Sequence, residues 1–442
     1  MKASLSWLKD YVDIKLPADN LANILTMAGI PAEHVEKVGN DWCLEFEITA
    51  NRSDCLSIIG IAREIAAITG KKLKLPKDLK RMAGKKALSS QRLQINIKDK
   101  KLCPRYTGRI ITGIKVVPSP KWMQEKLVSV GLRPVNNIVD ITNFLLMETG
   151  QPMHAFDLDK IKGNIEIRKA LKGETIKTID GINQTLEEGM LLIADDKSPI
   201  AVAGVMGGID TEVSRETKNI LLESAYFDPI SVRRTSRKLK LASESSYRFE
   251  RKVDFEMVMP ASDRAALMIN TLAGGKIGKL IDSGSKAVSP ISIKFNPEKA
   301  NVLLGLDIPL KKQKDILKSL DFGVQGKKNI LKVKVPSFRR DISQEVDITE
   351  EIVRIYGYDK ISLTIPKMVG HSKLTDKSDI VKAEIRKYLS SMGLNEIITY
   401  NLISEEMLKG FSTGESSIVR LVNPLSREQG ILTESLIPGI LK

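Results

Sequence analysis

Of the three histidines in the 442 residues, one lies among residues that can do chemistry. His154 stands in GQPMHAFD, a segment rich in turn-forming residues, downstream of Arg133, Thr142, Asn143 and Glu148. A neutral imidazole beside hydroxyl and amide groups can position or deprotonate a water molecule. The same imidazole can also satisfy a buried loop carbonyl, and spacing alone favours this second interpretation.

Two further features could face a ligand. Gly204, Gly207 and Gly208 in AVAGVMGG follow an apolar strand, where glycines let the backbone approach a ligand closely or form a plain tight turn. The segment is neither G-x-G-x-x-G nor a P-loop, so it does not indicate nucleotide binding. Glu223 lies in the apolar strand ILLESAYF, where a carboxylate is either salt-bridged or held for a ligand hydroxyl.

An acidic cluster lies in PSFRRDISQEVDITEEI, residues 336–352. On a helix, Asp347, Glu350 and Glu351 share one face, and Asp341 lies at the helix entrance. Four carboxylates that converge beside two arginines would suit Mg²⁺. Acidic residues in a first turn are also ordinary helix-dipole chemistry, so both interpretations stay open.

A basic helical face is predicted next to an aromatic residue among arginines. Asp228 and Pro229 read as the N-cap and first residue of a helix. Its basic residues, followed by RFER at 248–251, are consistent with phosphate contact. They are Arg233, Arg234, Arg237 and Lys238.

Periodicity predicts the elements that must position these residues. In the first 70 residues it predicts a helix that ends at Gly29, a strand with Leu44 and Phe46, and a helix that ends at Gly70. From about 92 to 227, short alternating strands are separated by Gly- and Asp-rich turns. Two helices follow, the second from about Asp254.

A third predicted unit begins near Ser289, with strands, short helices and a helix from about Ser343 to Tyr356. The last stretch is predicted to hold a helix from Ser378 to Gly393 and strands in EIITYNLI and SIVRLVNP, and it stops where another helix is starting. We interpret that end as a truncation.

Composition narrows the class of protein. The formal net charge is +15, which favours a polyanionic partner, with nucleic acid as the first candidate. Nearly half of that excess lies in the basic stretch 71–86, which is predicted to be a solvated spacer or an RNA-facing arm. Three cysteines without a C-x-x-C pair argue against a disulfide framework. Since no signal peptide or membrane span is visible, we expect a soluble, cytoplasmic, multidomain protein without membrane partners.

Several long blocks resemble the β subunit family of bacterial phenylalanine–tRNA ligases, in order and along essentially the whole chain. They include ITANRSDCLSIIGIAREIA, RPVNNIVDITNFLLMETGQPMHAFD, SSYRFERKVD, FRRDISQEVDITEEIVRIYGYDKI and NPLSREQGILTESLIPGIL. The second block is long and specific enough to make chance similarity untenable.

The resemblance implies an α+β multidomain fold with antiparallel sheets. It implies five parts: an N-terminal α+β domain at 1–75, a basic linker at 76–100, an editing domain that binds tRNA at 101–285, a winged-helix-like module with the acidic cluster at 288–364, and the start of a catalytic-like domain at 366–442. It further implies an α₂β₂ heterotetramer in which the α subunit binds ATP and attaches phenylalanine to tRNA(Phe), while the β subunit hydrolyses mischarged tyrosyl-tRNA(Phe).

Carried over by motif, the resemblance assigns two sets of residues. The editing pocket comprises the catalytic residues His154, Glu223, Thr142 and Asn143 and the substrate-binding residues Arg133, Gly204, Gly207, Ser243 and Ser245. The magnesium ligands are Asp341, Asp347, Glu350 and Glu351.

Three departures from the family pattern are visible. The resemblance implies that the OB-type tRNA-binding insert, which many members carry after the position of Val38, is missing here. It also implies that most of the catalytic-like domain and the whole anticodon-binding domain are missing. Ser243, Ser245 and Lys252 stand where threonine, alanine and glycine are usual. Two alternative functions therefore stay open: a free-standing aminoacyl-tRNA deacylase, and a non-catalytic tRNA-binding scaffold whose pocket the serines have disabled.

Overall fold

A computed structural model describes residues 1–79, 93–285, 289–328, 330–365, 376–411 and 418–441. The chain divides into two compact units, residues 1–363 and 364–442. Most of the predicted linker, residues 80–92, and His371 lie outside the described residues. No helix in the described part of the chain is long and apolar enough to cross a membrane.

The first 70 residues fold as a small antiparallel sheet, in the order β1-β3-β2, covered by helices. The tight turn at Gly39 and Asn40 joins β2 directly to β3. The elements are β1 (Lys2–Ser4), α1 (Leu5–Lys9), α2 (Ala18–Met27), β2 (Ala32–Val38), β3 (Asp41–Phe46) and α3 (Ile58–Thr69).

The predicted helices α2 and α3 and strand β3 are confirmed, and α3 ends at Gly70 in the left-handed conformation that favours glycine. Strand β2 was not predicted. Residues 71–79 are not a solvated spacer, because Leu73, Leu75 and Leu79 pack against the hydrophobic core that contains the N-terminal helices.

Residues 93–285 build two sheets with helices. A four-stranded antiparallel sheet has the order β14-β5-β13-β6, and a five-stranded sheet has the order β12-β11-β10-β7-β4, in which β4 and β7 run parallel. The elements are β4 (Ile95–Ile97), β5 (Arg105–Thr112), α4 (Lys121–Ser129), α5 (Asn137–Thr149), β6 (Met153–Asp157), β7 (Ile165–Lys169), β8 (Thr175–Lys177), β9 (Asn183–Thr185), β10 (Leu191–Ala194), β11 (Pro199–Val202), β12 (Met206–Gly207), β13 (Asn219–Tyr226), α6 (Pro229–Leu239), α7 (Glu244–Phe249), α8 (Val258–Ala273) and β14 (Lys276–Gly284).

The two faces of the four-stranded sheet belong to different cores. Along β13, Ile220 and Leu222 join the core that contains the N-terminal helices together with α4, α5 and α8. Leu221 and Ala225 point the other way, into the core shared with the five-stranded sheet. This alternation, which follows from the two-residue period of a strand, gives Glu223 the second face.

The rest of the first unit is a three-stranded sheet, β15-β17-β16, with helices. Its elements are β15 (Ser292–Phe295), α9 (Pro297–Leu304), α10 (Leu310–Ser319), β16 (Gly323–Lys327), β17 (Ile330–Lys334) and α11 (Glu345–Tyr356). The predicted helix near Ser343 is confirmed as α11, which begins two residues later.

The second unit contains α12 (Lys377–Ser391), β18 (Leu402–Ile403), α13 (Glu405–Lys409), β19 (Ile431–Leu432) and α14 (Ile437–Ile440). The helix predicted at Ser378 is confirmed, whereas the two strands predicted here are wrong in extent. Strand β18 covers two residues and pairs with β19, and the described residues of the second predicted strand form only an isolated bridge, between Arg420 and Ile431. Taken together, the observed α+β architecture with mainly antiparallel sheets confirms the predicted fold class.

Candidate functional site

His154 and Glu223 lie side by side on neighbouring strands. Strands β6 and β13 are antiparallel, and the two residues are direct partners in the register. Side chains at directly opposed positions have Cβ atoms about 4.5–5.5 Å apart. The prediction that His154 lies in a turn is wrong, because Met153 and Ala155 pack into one core while His154 and Phe156 face the other.

The imidazole of His154 is packed between an aromatic ring and a glycine. The edge of Phe156 meets it with 4.6 Å between ring centroids. A methyl group added at Gly207 would lie 2.6 Å from His154 Nε2, so only glycine leaves room for this ring. Gly207 therefore serves the close approach that the sequence allowed for this segment.

Gly204 has a second role in the same segment. Its φ of +71° is in the left-handed region that favours glycine. An added methyl group would lie 3.0 Å from atoms of both Phe227 and Val232. The glycine segment is thus both a tight turn and a close packing surface.

A small cavity of about 60 Å³ opens between these elements. Besides His154 and Glu223, its lining includes residues of the glycine segment and of α7: Gly204, Val205, Met206, Gly207, Ser245 and Phe249. Ser243 does not line it. Its hydroxyl caps α7 by accepting from the Ser246 N–H, and donates to the Val205 carbonyl oxygen at 2.8 Å, which ties the glycine segment to the helix.

Neither ionisable group in the cavity has a partner. His154 Nε2 is buried without a hydrogen bond, and the Glu223 carboxyl has no hydrogen bond or ion pair to any described residue. Burial lowers the pKa of His154 to about 4 and raises the pKa of Glu223 to about 8. Near neutral pH the site therefore holds a neutral imidazole and a neutral carboxylic acid.

Such a pair suits an uncharged ligand with a hydroxyl group. The acid can donate to or accept from a hydroxyl, and the free imidazole nitrogen can accept from water. The described residues show no Ser-His-Asp arrangement at the site, so any hydrolysis would depend on positioning.

Besides Ser243, three further predicted site residues are not brought to the cavity. Thr142 and Asn143 lie on α5, a helix that was not predicted and that packs into the core on the opposite face of the sheet. The Thr142 hydroxyl donates to the Val139 carbonyl oxygen within that helix. Arg133 is exposed on the preceding loop. Their assigned roles stay predictions.

The RFER segment was assigned partly to the wrong environment. Arg248 is 2% exposed and donates to the Leu56 carbonyl oxygen, so it does not face solvent. Phe249 is buried and forms a wall of the cavity. Sequence reasoning also missed Val205 and Met206 as lining residues, although they lie between the predicted glycines.

The acidic cluster meets arginines instead of an open site. Arg339 binds Asp341 and Glu351 with both arms of its guanidinium group, and Arg354 donates to Glu351 at 2.6 and 2.8 Å. Asp347 accepts the backbone N–H groups of Ser343 and Gln344, as an N-terminal helix residue commonly does.

This ionic chain continues into the N-terminal domain. Arg354 also binds Glu64 on α3, and Arg52 donates to Glu64 at 2.6 Å and to Asp54 at 2.9 Å. The side chains of Arg354, Glu64 and Glu351 are at most 4% exposed. Because each buried carboxylate touches a guanidinium, the chain joins residues 52–64 to residues 339–354 as a structural contact.

The four predicted magnesium ligands do not converge. Asp341 and Glu351 are occupied by arginines, Asp347 caps its helix and Glu350 is exposed. Among the described residues, the group whose potential ligand atoms all lie within 4.8 Å of one another is Asp54, Cys55 and Glu64, and Arg52 already binds both of its carboxylates. The donor set therefore does not fit a divalent cation as arranged here, and we derive no chemistry from one.

Comparison with protein families gives three consecutive matches. Residues 102–274 match the B3/4 domain, residues 293–358 the tRNA synthetase B5 domain, and residues 361–442 the phenylalanyl tRNA synthetase beta chain CLM domain. The cavity and its lining residues lie within the first match, and the ionic chain reaches the second.

Curated relatives cover nearly all of the chain. The phenylalanine–tRNA ligase beta subunit of Moorella thermoacetica is 43% identical over 418 residues, which are 93% of this chain and 52% of that protein. The protein of the same name from Carboxydothermus hydrogenoformans is 44% identical over 92% of this chain and 52% of its own length. That from Rhodopirellula baltica is 40% identical over 100% of this chain and 65% of its own length.

A solved N-terminal fragment of the phenylalanyl-tRNA synthetase beta-subunit from Pyrococcus horikoshii is similar with a TM-score of 0.47 and 17% identity, covering 81% of this chain and 99% of that chain. A likeness this distant adds nothing to the assignment, which depends on the sequence relatives and the domain matches. The chain spans about half the length of the first two relatives. On this evidence the chain belongs to the family of bacterial phenylalanine–tRNA ligase beta subunits.

Proposed function

We propose that the chain works as the editing part of a phenylalanine–tRNA ligase β subunit. In this role it supports the ATP-dependent attachment of phenylalanine to tRNA(Phe) by an α partner in the cytoplasm, and it hydrolyses tyrosyl-tRNA(Phe) that was charged in error. We propose an α₂β₂ assembly, with ATP bound by the α subunit. Mg²⁺ would then serve at that partner's site, since the acidic cluster of this chain does not fit it.

The observation that supports editing is the pairing of His154 and Glu223 in one cavity, where His154 Nε2 and the buried Glu223 carboxyl have no hydrogen-bond partner among the described residues. A synthetic site built for phenylalanine rejects tyrosine poorly, because an apolar pocket excludes an added hydroxyl only weakly. A pocket with a buried carboxyl has the opposite preference. A phenol supplies the hydrogen-bonding partner that Glu223 lacks, whereas a bare benzyl ring leaves it unpaired at a cost of about 1–3 kcal/mol.

The empty cavity is smaller than the proposed substrate. A volume of about 60 Å³ corresponds to the liquid volume of about two waters, which is less than a phenol ring needs. Binding therefore requires the cavity to widen. Met206 is the half-buried lining side chain with the most rotatable bonds, so we propose that its movement makes the room.

Hydrolysis would follow from positioning. With the phenol held at Glu223, the ester would lie near the backbone of the glycine segment, and the neutral imidazole of His154 would orient water toward it. A free imidazole nitrogen suits this role because it does not need to lose another hydrogen bond first.

Deacylation of tRNA(Phe) charged with tyrosine or with phenylalanine tests this function. We expect the chain to cleave the tyrosyl ester faster, and Glu223→Ala to reduce the preference by on the order of tenfold or more. Glu166→Gln, a half-buried glutamate on β7 outside the cavity, is the matched control. Equal preference in the chain and in Glu223→Ala would refute the role of Glu223.

A further inference from the structure

Helix α6 carries positive charge on a face that no part of the described chain neutralises. Residues 229–240 contain five basic residues and no acidic one. Lys238 is bound to Glu187 at 3.1 Å. Arg233, Arg234 and Arg237 are exposed and have no ion pair with any described residue.

Most other arginines of the first unit are used differently. Arg52, Arg105, Arg264, Arg339 and Arg354 each bind a carboxylate within the fold. Three neighbouring arginines without partners are thus an exception in this chain. A guanidinium group that is free in solution can bind a phosphate through two parallel hydrogen bonds.

The helix places these arginines on one side. Val232, Thr235 and Ser236 are buried on the inner side. At about 100° per residue, Arg233, Arg234 and Arg237 fall on the outer side, over a rise of about 6 Å along the axis. Ile230 is 60% exposed and shares this side, where it adds an apolar surface between the charges.

The inner side of α6 rests on the cavity. Val232 packs against Gly204, which lines the cavity, and α7, the next helix, carries Ser245 and Phe249 of the same lining. The outer face is therefore about one helix diameter, roughly 10 Å, from the glycine segment. A single strand that leaves the cavity crosses that distance within a few nucleotides.

We propose that the outer face of α6, formed by Arg233, Arg234 and Arg237, binds the sugar–phosphate backbone of the RNA strand whose 3′ end enters the cavity. This inference rests on the proposed function, because it takes tRNA as the substrate. It adds a contact surface outside the cavity and provides a use for the chain's positive charge.

The glutamates nearby fix where the strand runs. Glu187 and Glu188 line the far wall of the groove beside α6, a groove of about 760 Å³ that also includes Arg234 and Arg237. Because Glu187 is paired with Lys238, the charge of the exposed Glu188 is the one that repels phosphate from that wall. The strand consequently lies on the outer face of the helix instead of deep in the groove.

Binding of unacylated tRNA(Phe), labelled and followed by fluorescence anisotropy across a range of salt, tests the proposal. We expect the triple variant Arg233→Gln, Arg234→Gln, Arg237→Gln to bind on the order of tenfold more weakly, and the slope of log K against log salt to fall by about 2 for three lost contacts with a single strand. The triple Arg→Lys variant keeps the charge and should retain most of the affinity.

The matched control removes the same charge from another exposed helix, through Lys311→Gln, Lys312→Gln and Lys318→Gln on α10. It should change the affinity by less than about twofold. Circular dichroism checks that each variant folds, and the Lys variant gives a readout even if the Gln variant does not.

Unchanged tRNA affinity in a folded Gln variant overturns the proposal, and so does a wild-type chain that does not bind tRNA. A Gln variant that keeps tRNA binding but loses binding of poly-glutamate overturns it in favour of an acidic protein partner. Because the probe carries no amino acid, failure of editing is seen separately: a chain that binds tRNA through α6 but cleaves no tyrosyl ester contradicts the proposed function alone.

Discussion

Glu223 and Glu351 are both buried glutamates of the first unit, yet the pKa of Glu223 is raised and the pKa of Glu351 is lowered. Burial without a partner raises the pKa of Glu223 to about 8. Burial also disfavours charge on Glu351, but Arg339 and Arg354 bind its carboxylate and lower its pKa to about 2. The difference lies in the partners, since both side chains are almost fully removed from solvent.

The comparison distinguishes buried ionisable groups that stabilise the fold from buried ionisable groups that are available to bind a ligand. In the ionic chain every buried carboxylate is bound by an arginine of the fold. These ion pairs offset the cost of removing the charge from water, so no ligand is needed. In the cavity, His154 Nε2 has no hydrogen bond, and the Glu223 carboxyl has no hydrogen bond or ion pair to any described residue. Perturbed groups without an internal partner are the ones that indicate a functional site. The magnesium and editing hypotheses both start from clusters of acidic or polar residues. The two clusters differ in whether their ionisable groups already have partners within the fold.

The largest expected effect comes from breaking the ionic chain. Arg354→Met leaves Glu64 and Glu351 buried without their shared guanidinium, and we expect a loss of about 3–5 kcal/mol in the free energy of unfolding. Urea unfolding measures it. Lys98→Met removes a largely exposed pair with Glu166 and should cost less than about 1 kcal/mol. A comparably small loss for both variants would mean that the ionic chain contributes no stability.

The second prediction concerns Glu223, whose raised pKa should make the free energy of unfolding depend on pH. An unfolded glutamate ionises near 4.5, whereas folded Glu223 keeps its proton up to about pH 8. In between, the folded state holds one more proton, so its stability falls as pH rises, by about 1.4 kcal/mol per unit. Glu223→Gln removes this decline, and near pH 7 the variant should be about 3 kcal/mol more stable than the wild type.

Unfolding measured between pH 4 and pH 9 checks this expectation. The stability difference between Glu223→Gln and the wild type should grow from near zero at the acid end and level off above about pH 8. A constant difference across the range would show that Glu223 does not titrate abnormally in the folded chain.

A smaller effect concerns the support of the cavity. Ser243→Ala removes the N-cap of α7 and the hydrogen bond to the Val205 carbonyl oxygen, and we expect a loss of about 1 kcal/mol. Tyrosyl deacylation should weaken too, because the glycine segment loses its anchor. Ser243→Thr keeps the hydroxyl and should restore both. If Ser243→Thr loses as much stability and deacylation activity as Ser243→Ala, the hydrogen bonds of the Ser243 hydroxyl do not explain either effect.

Local signals predicted the helices better than the site. The cap at Asp228 and the glycine stop at Gly70 were read from neighbouring residues, and the structure confirms both. The same signals were available for α5, which runs from its N-cap Asn136 to Gly150, but they were not used. The resemblance, not the local pattern, assigns Thr142 and Asn143 to the pocket of His154, and α5 packs into the core on the other face of the sheet.

Long-range pairing could not be read from one sequence. Nothing local shows that His154 pairs with Glu223 on another strand, although the alternation of Met153, His154 and Ala155 could have indicated a strand. Likewise, the partner of Arg354 is Glu64, 290 residues away along the chain. Without that contact, an acidic helix start looks the same whether it binds a metal or an arginine.

Binding without catalysis tests the central claim most directly. Calorimetry would compare non-hydrolysable tyrosyl and phenylalanyl amides of 3′-amino-adenosine on the wild-type chain and on Glu223→Ala. We predict that the wild type binds the tyrosyl compound on the order of tenfold more tightly and that Glu223→Ala binds the two alike. Equal affinities in the wild type, or a tyrosyl preference that survives in Glu223→Ala, would contradict a cavity built to recognise a phenol.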